Sequence, residues 1–241
     1  VTNMGWGISF NPGSVDAARV VHCTIVGNSG LGCESSTTNG QVVNSIIYGN
    51  GGTDILAPSG MVHSSCVSID PGGQGNVTNA PRFVSAETGD YRLMSNSPCL
   101  DAGNEAFRTV ADRNGVSRPL DGNGDGQARC DMGAHEYASP RSDTDADGAS
   151  DAAELLAGTD PASPVSVLAV LGLTPEAGLS WSAVRGHAYR LQCSSNLLDG
   201  VWTDVFETPV VATAGCERLS LPAADASGSA PALFYRIMRQ P

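Results

Sequence analysis

The chain has 241 residues, 29 of them glycine, and 41% are hydrophobic, so it can form one large domain or two or three smaller ones. Its net charge of −12 and its lack of lysine argue against a nucleic-acid-binding protein, because phosphate neutralisation needs clustered basic side chains. No apolar run approaches the roughly 20 residues of a transmembrane segment. The sequence begins at Val1 without a signal peptide, which we interpret as the C-terminal part of a longer protein.

The first third of the chain repeats itself. Residues 20–28 align with residues 42–50, and residues 61–66 form a weaker third copy, in which His63 takes the place of His22 and Asn44. A period of about 20 residues with two or three short strands is typical of one turn of a β-solenoid, because stacked turns share a core that no single turn can bury. We therefore predict an all-β fold that begins with a right-handed parallel β-helix over residues 1–95. A run of short hairpins is the alternative.

Several phrases follow one another in a fixed order along residues 1–137: Asn44–Asn50 (NSIIYGN), Gly89–Leu93 (GDYRL), Ser97–Gly103 (SPCLDAG), Arg118–Pro119 and Asp131–Tyr137 (DMGAHEY). Together they resemble the C-terminal end of bacterial secreted β-helix proteins of the pectate-lyase-like superfamily, of the choice-of-anchor Q domain type. The resemblance implies an extracellular, surface-associated solenoid with an irregular cap, which we assign to residues 96–137. A cap is also expected physically, since an open solenoid end exposes strand edges and apolar core.

An acidic, glycine-rich stretch inside the cap begins like a calcium loop and then departs from the pattern. Counted from Asp121, the next carboxylate after Asp125 is Asp131 at position eleven. Position twelve, where the pattern requires glutamate, is Met132. A calcium site and a plain glycine-rich turn both remain open for these residues. The candidate ligands are Asp121, Asn123, Asp125, Gln127 and Asp131.

A second acidic stretch matches the calcium-loop pattern D-x-[DN]-x-[DN]-G-x5-E without a departure. Calcium takes roughly six to eight oxygens, and a tightly wound loop turns every second side chain inward to supply them. Gly148 permits the sharp turn, because it has no Cβ. We predict that Ca²⁺ is bound by the carboxylates or carbonyls of Asp143, Asp145, Asp147, Ala149, Asp151 and Glu154.

The calcium loop lies in a short segment, residues 138–164, that we interpret as a joint between modules. Residues 152–157 are rich in Ala, Glu and Leu and predict a short helix that ends at Gly158. Two prolines then prevent its continuation. Residues 143–164 resemble a single thrombospondin type 3-like repeat, and the resemblance implies a calcium-stiffened spacer.

The last part of the chain, residues 165–241, predicts a small β-sandwich. Alternating strand-like segments are separated by turns rich in Gly, Pro and Asn. They cover residues 179–184, 188–193, 201–206, 217–221 and 233–238. The phrases Ser180–Trp181, Tyr189–Leu191, Trp202–Asp204 and Phe234–Arg236 resemble an immunoglobulin-like C-terminal module of secreted bacterial proteins.

Seven cysteines leave at least one thiol unpaired within the chain. Three of them lie in apolar, repeat-like surroundings and are expected to be free and buried: Cys23, Cys33 and Cys66. Two pairs are candidate disulfides, Cys99 with Cys130 and Cys193 with Cys216, although spacing alone does not determine connectivity.

No catalytic constellation is recognisable in this segment, and we do not predict an enzyme. The repeats carry few arginines, Arg19 and Arg82, and neither accompanies an acidic metal site. The first hypothesis is therefore a calcium-stabilised structural or adhesion protein, secreted by a bacterium or held at its cell surface. The alternative is a β-helix protein that binds or degrades polysaccharide. The expected partners are extracellular polysaccharides or proteins.

Overall fold

The computed structural model describes residues 5, 7–10, 18–35, 40–174, 178–183, 186–212, 216–219 and 234–240. The chain divides into two compact units, Val1–Asp151 and Ala152–Pro241. The regular secondary structure of both is mostly short strands, and the α-helix α1 spans Asp151–Ala157. Among the described residues, no helix combines the length and the apolar character needed to cross a membrane.

The Val1–Asp151 unit begins with three parallel sheets of three strands each. Every sheet takes one strand from each of three successive repeats, which explains why the sequence repeats. The first sheet contains β1 (Ile8–Phe10), β4 (Cys33–Ser35) and β7 (Ile55–Leu56). The second contains β2 (Arg19–Val21), β5 (Gln41–Val43) and β8 (Val62–His63). The third contains β3 (Thr24–Ile25), β6 (Ile46–Ile47) and β9 (Cys66–Val67).

The strand register corrects one predicted alignment. In the second sheet His63 stands opposite Val43, so the residue equivalent to Asn44 is Ser64 and not His63. His22, Asn44 and Ser64 all have positive φ, at 50°, 52° and 44°. Alignment by residue type misplaced the third copy because its spacing differs: partners are 22 residues apart between the first two repeats and 20 residues apart between the next two.

Equivalent side chains of the repeats form the core between the sheets. Val20, Val42 and Val62 face one another in register and are buried. Cys33 is buried among them as a free thiol, as predicted. Each fully buried aliphatic side chain contributes roughly 1.5–3 kcal/mol. The stack of repeats is therefore stabilised by a continuous apolar column.

A ladder of side-chain amides runs beside this column. The backbone and side-chain nitrogens of Asn28 both donate to Asn50 Oδ1, at 3.1 and 2.9 Å. Asn50 in turn donates from both nitrogens to Asp54 Oδ1, at 2.8 Å each. Asn28 is thus paired with its equivalent in the next turn, and Asn50 with a residue of its own connection.

A hairpin and an irregular segment follow the sheets. Strands β10 (Phe83–Ser85) and β11 (Asp90–Leu93) pair antiparallel. The chain then packs against the third sheet through Leu93, Cys99, Leu100 and Met132, which cluster with Ile46 and Cys66. Because successive residues of a strand point to opposite faces, Ile47 joins the column between the sheets while Ile46 meets this segment. The segment thus covers a side of the third sheet along several repeats.

The Ala152–Pro241 unit contains two antiparallel sheets after α1. The first is formed by β12 (Val170–Thr174), β13 (Gly178–Ser182) and β17 (Cys216–Leu219). The second is formed by β14 (Ala188–Ser194), β15 (Thr203–Asp204), β16 (Val210–Val211) and β18 (Phe234–Arg239). Trp181 from one sheet and Tyr189 from the other pack edge to face, with ring centroids 6.2 Å apart. Residues 184, 220, 221 and 233 of the predicted strands lie outside the described residues.

The two candidate disulfides are not formed. Cys99 and Cys130 are free thiols with different neighbours: Cys130 Sγ accepts a hydrogen bond from Asn44 Nδ2 at 3.8 Å, whereas Cys99 belongs to the core cluster that contains Cys66. Cys193 is also a free thiol, 3.5 Å from Thr203 Oγ1.

Candidate metal centre

Three aspartates of the predicted calcium loop converge in space. One carboxylate oxygen from each of Asp143, Asp145 and Asp147 lies within 4.8 Å of the others. The backbone winds around them: Gly148 N donates to Asp143 Oδ2 at 2.9 Å, and Asp147 N donates to Asp145 Oδ1 at 3.2 Å. The φ of 99° at Gly148 is the left-handed turn that its lack of a Cβ permits. The structure thus brings three of the six predicted ligands together.

This arrangement leaves negative charge without a partner. Asp145 Oδ2 and Asp147 Oδ2 are buried and accept no hydrogen bond from the described residues. Loss of water around its carboxyl raises the pKa of Asp145, and the charges of Asp147 and Asp143 add to the rise. Buried, unpaired carboxylate oxygens are costly. Because hard divalent cations take carboxylate oxygens as ligands, the residues present fit Ca²⁺.

Asp151 lies late in the calcium loop and binds residues at its start. Its Oδ1 and Oδ2 accept hydrogen bonds from Thr144 N and Thr144 Oγ1, both at 2.8 Å, and its backbone N donates to Ser142 O at 2.9 Å. The side chain is fully buried, and burial raises its pKa. The structure thus places Asp151 on the second residue of the loop, where it holds the loop start against the start of α1.

Glu154, the predicted twelfth-position ligand, lies in α1 and is buried. Its carbonyl accepts hydrogen bonds from Gly158 N at 2.7 Å and Thr159 N at 2.9 Å. Gly158 takes a left-handed φ of 82°, so the helix ends where the sequence predicted. A buried carboxylate at this position is what the calcium-loop pattern requires, since position twelve supplies two ligand oxygens.

The other acidic loop is arranged differently. Asp121 Oδ1 accepts from Gly124 N at 2.7 Å, and its Oδ2 accepts from Gly126 N at 2.8 Å. Gln127 Oε1 accepts from Arg129, and Asn123 Oδ1 accepts from Asp125 N. These contacts are those of a tight glycine-rich turn, although none of them prevents a rearrangement around a cation.

Asp131, the last candidate ligand of that loop, is buried. Its Oδ1 accepts from Asp101 N at 2.8 Å, and its Oδ2 accepts from Tyr137 N at 2.7 Å. Within the described part of the chain, the residues of this loop do not form a group of three carboxylates like that at Asp143. Whether they bind calcium stays a prediction.

A threonine connects the two acidic loops. Asp121 N donates to Thr144 Oγ1 at 3.1 Å, and the same hydroxyl donates to Asp151 Oδ2. The sequence analysis missed this residue because calcium-loop patterns leave the second position unspecified. The two loops are therefore joined through a single side chain.

A buried arginine network lies on the sheet side of the irregular segment, and the sequence analysis also missed it. Arg118 Nε lies 3.3 Å from Glu136 Oε2, with both side chains essentially inaccessible to solvent. Arg118 Nη2 donates to Gly133 O at 3.0 Å, and Nη1 contacts His22 Nδ1. Asn44 Nδ2 lies 3.1 Å from His22 Nε2. His22 and Asn44, equivalent residues of the first two repeats, therefore anchor the irregular segment through Arg118.

Acidification is expected to weaken this anchor. Burial, and then the charge of Arg118, lower the pKa of His22 from 6.5 to about 4. Below pH 6.5 the unfolded chain therefore binds a proton that the folded chain excludes, so stability falls as the pH drops towards 4, by up to about 1.4 kcal/mol per pH unit. Urea unfolding of the wild type and of His22→Gln between pH 7.5 and 4.5 measures the difference. Equal pH dependence in the two proteins would contradict the assignment.

An open cavity of about 320 Å³ lies beside the hairpin. Phe83 and Tyr91 line it with ring centroids 5.3 Å apart, and Tyr48 and Arg82 complete its wall. The Arg82 side chain is exposed, and its Nη1 donates to Asn96 O at 3.1 Å. Aromatic walls with one cationic group are typical of small ligand-binding clefts.

Comparison with known proteins supports the metal centre. The family described as Bacterial TSP3 repeat matches residues 143–164. A search of curated proteins found no match to the chain. The matched family is a calcium-binding type of repeat, so the predicted thrombospondin type 3-like repeat is confirmed, and it indicates calcium binding and an extracellular structural role for this segment.

Proposed function

We propose that this chain is a calcium-stabilised structural or adhesion segment of a bacterial protein that is secreted or held at the cell surface. The observation that carries the proposal is the cluster of Asp143, Asp145 and Asp147, with two buried unpaired oxygens, inside a bacterial TSP3 repeat. In the proposed site Ala149, Asp151 and Glu154 complete the ligand set. A bound calcium ion supplies two positive charges to a loop that otherwise concentrates carboxylates.

The proposed organisation follows the same order as the sequence. Residues 1–95 form coils of a right-handed parallel β-helix, and residues 96–137 form its cap. Residues 138–164 form the calcium-binding joint, and residues 165–241 form an immunoglobulin-like β-sandwich. Three parallel sheets in register support the first assignment, and two antiparallel sheets with a shared core support the last. The Asp121 loop is proposed as a second, weaker calcium site.

Calcium is expected to raise the melting temperature of the chain. A ligand present at 100 times its Kd stabilises the folded state by about 2.7 kcal/mol, which corresponds to roughly 5–10 °C for a protein of this size. Differential scanning calorimetry with calcium and with EDTA measures the shift. An identical melting profile in the two conditions would remove the proposed metal site.

Two variants make the test specific. Asp145→Asn/Asp147→Asn removes the charges of the two side chains with unpaired oxygens, and we expect it to abolish the calcium-dependent shift and the heat of calcium binding. Glu87→Gln, an exposed carboxylate in another part of the chain, should leave both unchanged. Asp121→Asn tests the second loop by itself. If this variant loses one of two calcium-binding events, the lost event belongs to the Asp121 loop.

A second candidate function is polysaccharide binding or cleavage, and the cavity beside the hairpin favours it. The apolar face of a sugar ring packs on aromatic rings such as Tyr91, while Arg82 can pair with a sugar carboxylate. A panel of neutral and acidic glycans, read by binding and by release of reducing or unsaturated ends, tests it. Tyr91→Ala should abolish binding, whereas Val84→Ala, exposed on the same strand pair but outside the cavity, should not. No binding to any glycan would exclude this function for the cavity.

A further inference from the structure

Thr144 is held between the two acidic loops by three hydrogen bonds. Its backbone N donates to Asp151 Oδ1 at 2.8 Å, and its hydroxyl lies 2.8 Å from Asp151 Oδ2. The same hydroxyl lies 3.1 Å from the backbone N of Asp121. Thr144 is the second residue of the calcium loop, a position that supplies no ligand in the pattern. It therefore contacts a predicted ligand without being one.

The atoms involved fix the direction of these hydrogen bonds. A backbone N–H only donates, so the Thr144 hydroxyl accepts from Asp121 N. A hydroxyl has one hydrogen, which is then left for Asp151 Oδ2. Hydrogen bonds arranged in a chain strengthen one another, and a charged acceptor at the end strengthens them further. The Asp121 amide therefore reinforces the hydrogen bond from Thr144 to the Asp151 carboxylate.

The Asp121 end of this chain is anchored outside the calcium loop. Both carboxylate oxygens of Asp121 accept backbone hydrogen bonds within its own loop. The next two amides, those of Gly122 and Asn123, donate to the Asp101 carboxylate at 3.2 and 2.7 Å. Asp101 is itself buried. The donor to Thr144 is thus held in place by residues that are distant in sequence from the calcium loop.

The Asp151 carboxylate keeps capacity for a cation. Its two oxygens offer about four acceptor positions, of which Thr144 occupies two. Without these hydrogen bonds the carboxylate would be free to rotate, and a binding ion would have to restrict that rotation. A ligand that is already held by an outer partner binds its metal more tightly. The affinity of the loop for calcium should therefore depend on Thr144.

We propose that Thr144 is a positioning residue for calcium, and that the Asp121 loop acts on the calcium affinity of the Asp143–Glu154 loop through the Thr144 hydroxyl. The proposal rests on the calcium site proposed above. Because coupling between two sites is reciprocal, calcium bound in that loop must in turn stabilise the Asp121 loop. The TSP3 repeat would then depend on a residue outside its own boundaries, since Asp121 precedes residues 143–164.

Isothermal calcium titration of the full chain tests the role of Thr144. Thr144→Val removes the hydroxyl at nearly constant size and is expected to raise the Kd for calcium by about 10-fold. Thr144→Ser keeps the hydroxyl and should retain a Kd close to that of the wild type. Thr109→Val, which removes an exposed hydroxyl bonded to Ala111 O, should leave the Kd unchanged. The binding event to follow is the one that Asp145→Asn/Asp147→Asn abolishes.

The outcomes separate this proposal from the calcium site on which it rests. Equal Kd values for the wild type and Thr144→Val would overturn the role of Thr144, and so would a Thr144→Ser variant as weak as Thr144→Val. A wild-type protein that takes up no calcium would overturn the metal site itself.

Hydrogen–deuterium exchange provides a second measurement, which a general loss of stability would not mimic. Each protein is compared with itself, with calcium and with EDTA. Calcium is expected to slow exchange at the amides of residues 121–126 in the wild type and in Thr144→Ser, and to slow it less in Thr144→Val. Protection of these amides by calcium that is as large in Thr144→Val as in the wild type would rule out coupling through the hydroxyl.

Discussion

Replacement of Arg118 by methionine is expected to lower the free energy of unfolding by about 3–5 kcal/mol, because it leaves a buried carboxylate without its partner. Glu136 would keep its hydrogen bonds from Leu120 N and Asp131 N, both at 3.1 Å, but would lose its guanidinium partner. Gly133 O and His22 would lose their donors in the same step. Urea unfolding followed by far-UV circular dichroism measures the loss.

A matched variant distinguishes the loss of a buried ion pair from the loss of an exposed one. Arg92 also pairs with a carboxylate, Asp90, but its side chain is 63% exposed, so Arg92→Met should cost no more than about 1 kcal/mol. The double variant Arg118→Met/Glu136→Gln should recover part of the loss, since the uncompensated charge is gone. If Arg118→Met and Arg92→Met unfold at the same urea concentration, the buried network does not anchor the irregular segment.

Replacement of Ile46 by alanine is expected to cost about 2–5 kcal/mol. Ile46 is 1% exposed and lies in the middle strand of the third sheet, where Cys66, Leu93 and Met132 pack around it. The backbone of Gly133 comes so close that a Cβ there would meet Ile46 Cδ1 at 2.7 Å. With so rigid a neighbour, the cavity left by the missing side chain has little room to collapse.

The control for this variant lies on a strand of another sheet. Leu56, on β7, is 54% exposed, so Leu56→Ala removes a side chain of similar size from the surface. We expect Leu56→Ala to change the free energy of unfolding by no more than about 0.5 kcal/mol. A cost at Leu56 equal to that at Ile46 would show that strand propensity, and not packing against the irregular segment, determines the effect.

Features that depend on nearby residues were predictable from the sequence. The repeated phrases give parallel strands in register, because stacked turns place equivalent residues opposite each other. The calcium loop was predictable for the same reason: its spacing of carboxylates and its glycine are a local requirement of the ion. The end of the helix at Gly158 was predictable because it depends only on the local backbone conformation.

Features that depend on distant residues were not predictable from the sequence. His22 and Arg118 are separated by 96 residues, and nothing in the composition around either one indicates the other. The same holds for Cys66 and Cys99, which belong to one core cluster because the irregular segment covers the third sheet. The misplacement of His63 has a simpler cause: alignment by residue type put it one residue out of the observed register, and a shift of one residue reverses the face of every side chain in a strand.

The short chain of hydrogen bonds from Asn28 to Asp54 fixes the orientation of one amide. An asparagine side chain both donates and accepts hydrogen bonds, whereas a carboxylate only accepts. Asn50 Oδ1 accepts from both nitrogens of Asn28, its equivalent in the preceding turn, and Asn50 Nδ2 donates to Asp54 Oδ1, four residues further along the same connection. Rotation of the Asn50 amide by 180° would point its nitrogen at the Asn28 donors and its oxygen at the Asp54 carboxylate. Asp54 therefore gives the Asn50 amide a single orientation, the one that accepts from the turn before it.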